Sequence, residues 1–594
     1  MSFSKLTRAG KVQLRLIAYN NCDDVQLFWR VKVDGKLDAP IKDCLGFKIE
    51  RKRKNPDGSW GKTETLRNPV GFTSQPVSGS NNQGFPSQPS SIWPFQRYEW
   101  VDHGANNGDT LKYRIIPVAA PVQGVLGSAM LPNIFETKWT QPIKVDPYCT
   151  ENTLAFFNRG IVISQYVARL ARKNNWTPKN ILAKVKEVEE PLRRFLSGEL
   201  RLELLRILDN AIGNPSLSIY AALYELSDRE LLDRLKILKK RANIILSNGS
   251  NRKGDGNKVA RAELKTAKVK VFDRMLGSKG LGHNKFCVLY DNNQNKPVEV
   301  WTGSTNWSST GLCTQANNGI LIKDKNIAKL YMDQWKNLKS SGNDFPTLLT
   351  NFNTASPYGP KEMEVWFTRV NKPKIQQPYR TDMTKLLELI DHAKKAILYI
   401  MFQPGVDILT KILLRSQQQN MYVRGVVNSI SDKNKEHFTI MGIKIQSQNY
   451  DTAIIQPQGI ERNFSSWVKE ITRAQFLYPY QNPGIGHAIT HSKMIVIDPL
   501  DSECKVITGS HNFSTAASEK NDENFVVISH NKPLAEAYSV ACLSIYAHYR
   551  WRAHVKDALN AKKKPWQYLS DKPAWQDNFI SGIKMKHHDY WNKF

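Results

Sequence analysis

The residues of this 594-residue chain best suited to chemistry occur twice. Residues 283–318 read HNKFCVLYDNNQNKPVEVWTGSTNWSSTGLCTQANN, and residues 491–524 read HSKMIVIDPLDSECKVITGSHNFSTAASEKNDEN. Each has His-x-Lys on an apolar run, then a turn and a second apolar run. That second run ends in Gly-Ser-x-Asn, which begins 20 residues after His283 and 18 after His491. In a strand, residues i and i+2 share a face, so His283 projects with Lys285 and His491 with Lys493. The segments carrying Ser304 and Asn306, and Ser510 and Asn512, each end a strand and begin a helix. Such a junction offers hydroxyl, amide and backbone N–H donors to an anion. Two imidazoles supply covalent and acid–base chemistry, and the lysines and amides suit the oxygens of a phosphoryl group. A further Asn lies twelve residues beyond each of these amides, at Asn318 and Asn524.

The elements that must position these side chains are legible in outline. Each His-x-Lys segment follows its own strand–helix–strand pattern: SIYAALYEL, DRELLDRLKILKK and ANIILSN in the first half, AILYIMF, DILTKILLRSQQ and YVRGVVN in the second. The repeat therefore covers whole α/β subdomains, expected at 149–353 and 354–550 with a Pro- and Lys-rich connector near 354–380. Long helical patterns are read over 153–212, beginning at LAFFNRG. Residues 1–148 read as all-β: VQLRLIAY, VQLFWRVKV, LGFKIERKR and LKYRIIPVAA are separated by NPDGS, NNGD and VDGK turns. This part is similar to a fibronectin-III or immunoglobulin-type sandwich, with Trp29 and Tyr113 as core aromatics and a Gly/Ser/Pro/Gln-rich surface loop at 71–92. A basic, Trp-rich extension is expected at 551–594. Seven scattered cysteines without CxxC pairs, no apolar run of eighteen residues and no signal-peptide layout point to a soluble, cytoplasmic protein. Export by a signal-independent route would leave no trace of this kind.

The duplicated motif resembles the HxK(x)4D…GSxN signature of the phospholipase D superfamily, over roughly 150–550. The resemblance implies an α/β fold of two subdomains related by a pseudo-twofold axis, with both motifs in one active site. It implies no metal or other cofactor. One histidine would attack phosphorus and the other would protonate the leaving oxygen; the family pattern makes His283 the nucleophile and His491 the acid/base. Lys285, Lys493, Asn306 and Asn512 would hold the non-bridging oxygens, with Ser304 and Ser510 in support. The second copy has the fuller pattern, with Asp498 five residues after Lys493 and Glu523 placed to orient His491. The first has Tyr290 in place of that Asp and Asn317 in place of the Glu, so a neutral amide is expected beside His283.

The substrate is read from charge. A formal +30 attracts polyanions, either nucleic acid or an anionic phospholipid surface. Bases crowd 236–274, among them Lys239, Lys240, Arg241, Arg252, Lys253, Lys258 and Arg261, and the strip leads directly to His283. It is expected to grip phosphates; the interleaved Lys and Trp of the tail would suit base stacking, but docking of those tryptophans onto the core is the preferred reading. Nucleic-acid cleavage is the first reading. Phospholipid hydrolysis or headgroup transfer is the second. A third is a degenerate relative that binds phosphodiesters without cutting them, which the intact His, Lys and Asn sets disfavour.

Overall fold

The computed structural model describes residues 3–72, 87–160, 174–176, 178–251, 253–372, 378–428, 489–560, 562, 568–580 and 583–594. Alternating apolar positions build its N-terminal region. Strands Val12–Asn20 and Val25–Val33 pair antiparallel with Leu16 opposite Trp29, which turns Leu14, Leu16, Ala18, Leu27, Trp29 and Val31 to one side. They meet Phe47, Ile49, Leu111, Tyr113 and Ile115 from a second antiparallel sheet built on Gly46–Arg53 and Thr110–Val118. Two sheets thus share one core, with Trp29 and Tyr113 fully buried in it. The Tyr113 hydroxyl donates to the Asp102 carboxylate at 2.8 Å, which satisfies its one polar atom.

Beyond this region lie two α/β sheets. The first has eight strands in the spatial order 148–150, 153–157, 318–322, 296–303, 285–291, 217–223, 242–247, 270–274. The second has six described strands in the order 363–368, 523–529, 505–509, 494–497, 396–401, 422–427. Removing the outermost strand from each edge of the first sheet leaves six that match the second in order and sense. In both, only the last pair is parallel (217–223 with 242–247, and 396–401 with 422–427). The two strands that open with the motif lysine or directly after it, Lys285–Asp291 and Met494–Ile497, are interior in their sheets. Helices cover both faces, which is why FCVLY and MIVI read as unbroken apolar runs.

Two expectations need correction. The start of the expected helix at 153 is instead strand Thr153–Phe157, which pairs antiparallel with Asn318–Ile322; this partner, distant in sequence, overrides the local helical pattern. The rest of that pattern up to 173 lies outside the described residues, as do 73–86 of the expected loop. The boundary at 550 falls inside a single helix, Lys532–Asn560, which packs on strands of both α/β sheets and on Val12–Asn20 of the sandwich. The described tryptophans of the tail beyond it dock onto the core, as the preferred reading has it. Trp591 is 1% exposed and stacks on Phe28, while Trp575 is 5% exposed and donates from Nε1 to Cys44 O at 2.9 Å. The tail is a clasp between the sandwich and the α/β body: His587 lies 2.6 Å from Glu99 and 2.5 Å from the Tyr422 hydroxyl. Trp566 lies outside the described residues. No helix among the described residues is long and apolar enough to cross a membrane, and all seven cysteines are unpaired.

Candidate active site

The glycine of each GSxN has a steric purpose. A Cβ at Gly303 would stand 2.4 Å from Asn318 O, and one at Gly509 would stand 2.3 Å from Asn524 O. Only glycine lets the neighbouring strand pass so closely. The serines that follow then lock that strand. Ser304 N donates to Asn318 O at 3.0 Å and Ser304 Oγ accepts from Asn318 N at 3.0 Å; Ser510 and Asn524 repeat both bonds at 2.9 and 3.0 Å. The Ser304 hydroxyl itself donates to Asn317 Oδ1 at 2.8 Å and the Ser510 hydroxyl to Asn524 O at 3.5 Å, so both are engaged within the protein and are not the anion donors that their position suggested.

Asn318 and Asn524, fixed in this way, reach across to the opposite half. Asn318 Nδ2 donates to Thr508 Oγ1 at 2.6 Å and to the Tyr538 hydroxyl at 3.2 Å. Asn524 Oδ1 accepts from Thr302 Oγ1 at 2.7 Å and from the Tyr331 hydroxyl at 3.0 Å. Backbone bonds cross in the same way, from His283 N to Asp522 O and from His491 N to Ala316 O, each 3.0 Å. These buried exchanges press the two motifs into a single site.

The exchange decides which group supports which histidine. Nδ1 of His283 lies 2.9 Å from Glu523 Oε2, while Nδ1 of His491 lies 2.9 Å from Asn317 Oδ1 and 3.1 Å from Ser304 O. Glu523 therefore orients His283, not His491, and the neutral amide belongs to His491. The expected pairing within each copy was wrong because the register between halves, Gly282 beside Asp522, brings the carboxylate across. Since each Nδ1 faces only acceptors, it carries the proton, and each Nε2 presents a lone pair. The lysines match as well: Lys285 Nζ donates to His283 O at 2.8 Å and Lys493 Nζ to His491 O at 2.6 Å. Each ammonium keeps two further donors for a substrate.

Burial sets the electrostatics. It pushes the His283 imidazole down to about 4, against the opposing pull of Glu523. Burial also drives His491 well below the ordinary value, and Lys493, Lys285 and His283 push in the same direction. Lys285 is brought down to about 7 by burial, against Glu523 and Glu225, and Lys493 falls well below its usual range by burial and the charge of Lys285. Burial alone would raise the Glu523 carboxyl, but the charge and hydrogen bond of His283 bring it below the ordinary value. Four basic groups in mutual electrostatic reach, with Glu523 and Glu225 as the close carboxylates, form a site whose cationic forms await an anion.

Residues 208–339 and 386–541 each match the family model described as "Cardiolipin synthase, PLD-like domain". Both α/β halves are thus phospholipase D-like. Proteins named phospholipase D from Rickettsia felis and Rickettsia conorii are each 30% identical to it over 139 residues. That stretch is 23% of this chain and 64% of theirs, so the match spans less than two thirds of those relatives. Among solved structures, phosphatidylserine synthase of Haemophilus influenzae is 12% identical with a TM-score of 0.37, covering 62% of this chain and 92% of that one. The phospholipase D family member Nuc of Salmonella typhimurium is 20% identical with a TM-score of 0.18, covering 31% and 94%.

Within this phospholipase D-like site, His283, Lys285, Asn306, His491, Lys493 and Glu523 are all at most 5% exposed. Asn306 Nδ2 donates to Glu225 Oε2 at 2.9 Å, and neither Asn306 Oδ1 nor Asn512 Oδ1 has a partner among the described residues. Asp498 stands outside, its carboxylate accepting the backbone N–H groups of Lys394, Lys395 and Ala396 at 2.7 Å each. Sequence reasoning missed Tyr224, Phe402 and Glu225. The Tyr224 ring lies 4.6 Å from that of His283 and 4.9 Å from Lys285 Nζ; Phe402 stands 4.9 Å from both His491 and Lys493 Nζ. Their signal was present, because each aromatic directly follows the strand beside its His-x-Lys.

Two members of the basic strip are structural. Arg241 donates to Leu217 O at 2.7 Å and Asn214 O at 3.1 Å, closing the end of helix Pro191–Gly213. Arg261 is 8% exposed and spends its guanidinium on Asp255, Asp273 and the carbonyls of Leu246 and Ser247. Neither is available to grip phosphate. Lys239, Lys240, Lys253 and Lys258 are exposed, and Arg252 lies outside the described residues. Among the described residues, no three His, Cys, Asp or Glu side chains are grouped to hold a metal ion.

Proposed function

We propose that this protein hydrolyses phosphodiester bonds in nucleic acid through a phosphohistidine on His283. The observation that carries the reading is the pair of Nε2 lone pairs, one backed by a carboxylate and the other by an amide, each beside a buried lysine. In the first step His283 Nε2 attacks phosphorus, the bond to the leaving oxygen breaks, and a protonated His491 gives that oxygen its proton. The phosphorylated ring is cationic, and the Nδ1–H bond to Glu523 stabilises it. His491 has no carboxylate to hold its imidazolium, so it releases a proton readily, as an acid should. In the second step His491 takes a proton from water, the water oxygen bonds to phosphorus and the P–N bond breaks, restoring both rings. Lys285, Lys493, Asn306 and Asn512 hold the non-bridging oxygens, and the anion they receive restores the protonated state that burial opposes.

Nucleic acid is favoured by the +30 formal charge and by the exposed Lys239, Lys240, Lys253 and Lys258. A phospholipid is the second reading, favoured by the family model's description and by the name of the Rickettsia relatives. Purified protein is assayed on labelled single- and double-stranded DNA, RNA and mixed phospholipid vesicles, with and without EDTA, and with His283→Ala as control. Cleavage of a nucleic acid that persists in EDTA and disappears in His283→Ala is expected. Turnover of vesicles alone would transfer the reading to lipid.

A further inference from the structure

The outer face of the second sandwich sheet carries a cluster with no part in the phosphodiester site. Strands Gly46–Arg53 and Thr110–Val118 pair so that Lys52 stands directly opposite Lys112 and Glu50 opposite Arg114. Like charges directly opposite in an antiparallel pair are unfavourable, and a sheet interior usually avoids them. Two partly exposed tryptophans frame these cations. Lys112 Nζ lies 4.1 Å from the Trp60 ring centre and 5.5 Å from that of Trp139. Lys52 Nζ lies 5.5 Å and the Arg114 guanidinium 4.8 Å from the same Trp139 ring.

The acids here do not balance the bases. Glu50 is engaged by Lys48 and Arg114, and Glu136 by Arg114. Lys52 and Lys112 have no acidic partner among the described residues, and desolvation together with Lys52 lowers the Lys112 ammonium below its usual value. Contacts with the ring faces offset part of the repulsion, about 0.5–1 kcal/mol each at an exposed site. The sandwich meets the α/β body through its other sheet, where Ile17, Tyr19 and Phe28 join the body's core, so among the described residues this face is not a domain contact.

We propose that Trp60, Trp139, Lys52 and Lys112 form an accessory binding platform for single-stranded nucleic acid, a proposal that rests on the nucleic-acid reading of the catalytic site. Bases stack on the indole faces while phosphates take up the charge of the lysine pair. A flat aromatic surface edged by uncompensated cations matches this ligand better than a neutral sugar, which would gain nothing from the lysines.

The test uses the full chain and a fluorescein-labelled oligothymidylate at several salt concentrations, followed by anisotropy. Lys52→Glu with Lys112→Glu is expected to weaken binding at least tenfold and to flatten the salt slope by about 1.4, two phosphate contacts' worth for a single strand. Trp139→Ala is expected to weaken it roughly tenfold with little change in slope. Hydrolysis of bis(p-nitrophenyl) phosphate, too small to span both sites, stays at the parent rate in both variants and shows that they are folded. Unchanged oligonucleotide affinity, or no binding by the parent protein, overturns the proposal. So does tighter capture of anionic vesicles or a neutral glucan that these substitutions abolish. If the oligonucleotide binds at this face but is never cut, the catalytic reading fails and the platform stands; if it is cut while the variants bind as the parent does, the platform fails alone.

Discussion

The two α/β halves share a strand order, a His-x-Lys and a GSxN, yet they differ in the groups that stand behind the histidines and lysines. The first half has Tyr290, Asn317 and Glu225. The second has Asp498 and Glu523, with Gln403 at the place of Glu225, one residue past the aromatic that faces the histidine. Within either copy these differences look like decay of one motif beside a complete one. Across the interface they are an allocation: the second half's carboxylate serves the first half's histidine, and the first half's amide serves the second's. The lesson is that a motif copy and a functional unit are not the same set of residues.

The largest test of this allocation removes the histidines. His283→Ala and His491→Ala are each expected to lower turnover of nucleic acid by at least about 10²–10⁴-fold. They separate on bis(p-nitrophenyl) phosphate, whose leaving group needs no proton. There His491→Ala still forms a ³²P- or mass-detectable phosphohistidine on acid quenching and stalls, whereas His283→Ala forms none. The reverse pattern would exchange the two roles.

Next comes the pair of supports. A charge-assisted bond is worth about 1.5–3 kcal/mol, so Glu523→Gln is expected to reduce kcat roughly 10–150-fold. Asn317→Ala removes a neutral bond worth about 0.5–1.5 kcal/mol and should cost roughly 2–12-fold. Equal losses would show that the carboxylate and the amide are interchangeable. A smaller effect concerns pH. The Lys285 ammonium, brought down to about 7, is charged below that pH and lost above it, so kcat/KM should fall on the alkaline side of neutrality. Glu225→Gln removes a carboxylate that favours the charged lysine and should move this limb to lower pH; a limb that moves upward or stays put would exclude Lys285 as its origin.

The smallest expected effect on rate is at Asp498. Asp498→Ala orphans three backbone N–H groups at the start of strand Ala396–Met401, which should cost about 3 kcal/mol of stability. A lowered thermal midpoint with kcat within about twofold is expected. A lost rate at full stability would place Asp498 in the chemistry.

What the sequence revealed and what it hid follow from range. The His-x-Lys strands, the GSxN junctions and the repeated strand–helix–strand units are local patterns, so residue spacing exposed them. The reach of Glu523 to His283 depends on Gly282 lying beside Asp522, a pairing between segments 240 residues apart that no local pattern records. Arg241 and Arg261 looked like substrate contacts because a basic residue on a surface and one capping buried carbonyls read alike in sequence. The tail tryptophans left two readings open for the same reason, since stacking on a base and stacking on Phe28 call for the same side chain. Strand Thr153–Phe157 was hidden by its surroundings, for its partner lies at the far end of the first subdomain.

Asn318 and Asn524, which bind the halves by exchanging hydrogen bonds, bear on how a substrate is oriented. Two identical subunits joined in this way would carry every residue twice, and a diester could enter either way round. Joining the halves in one chain lifts that constraint, because a substitution in one copy no longer appears in the other. A carboxylate can then stand behind one imidazole and an amide behind its counterpart. A phosphodiester bound there would meet two unlike ends, and the direction in which it lies would become part of the site's selectivity.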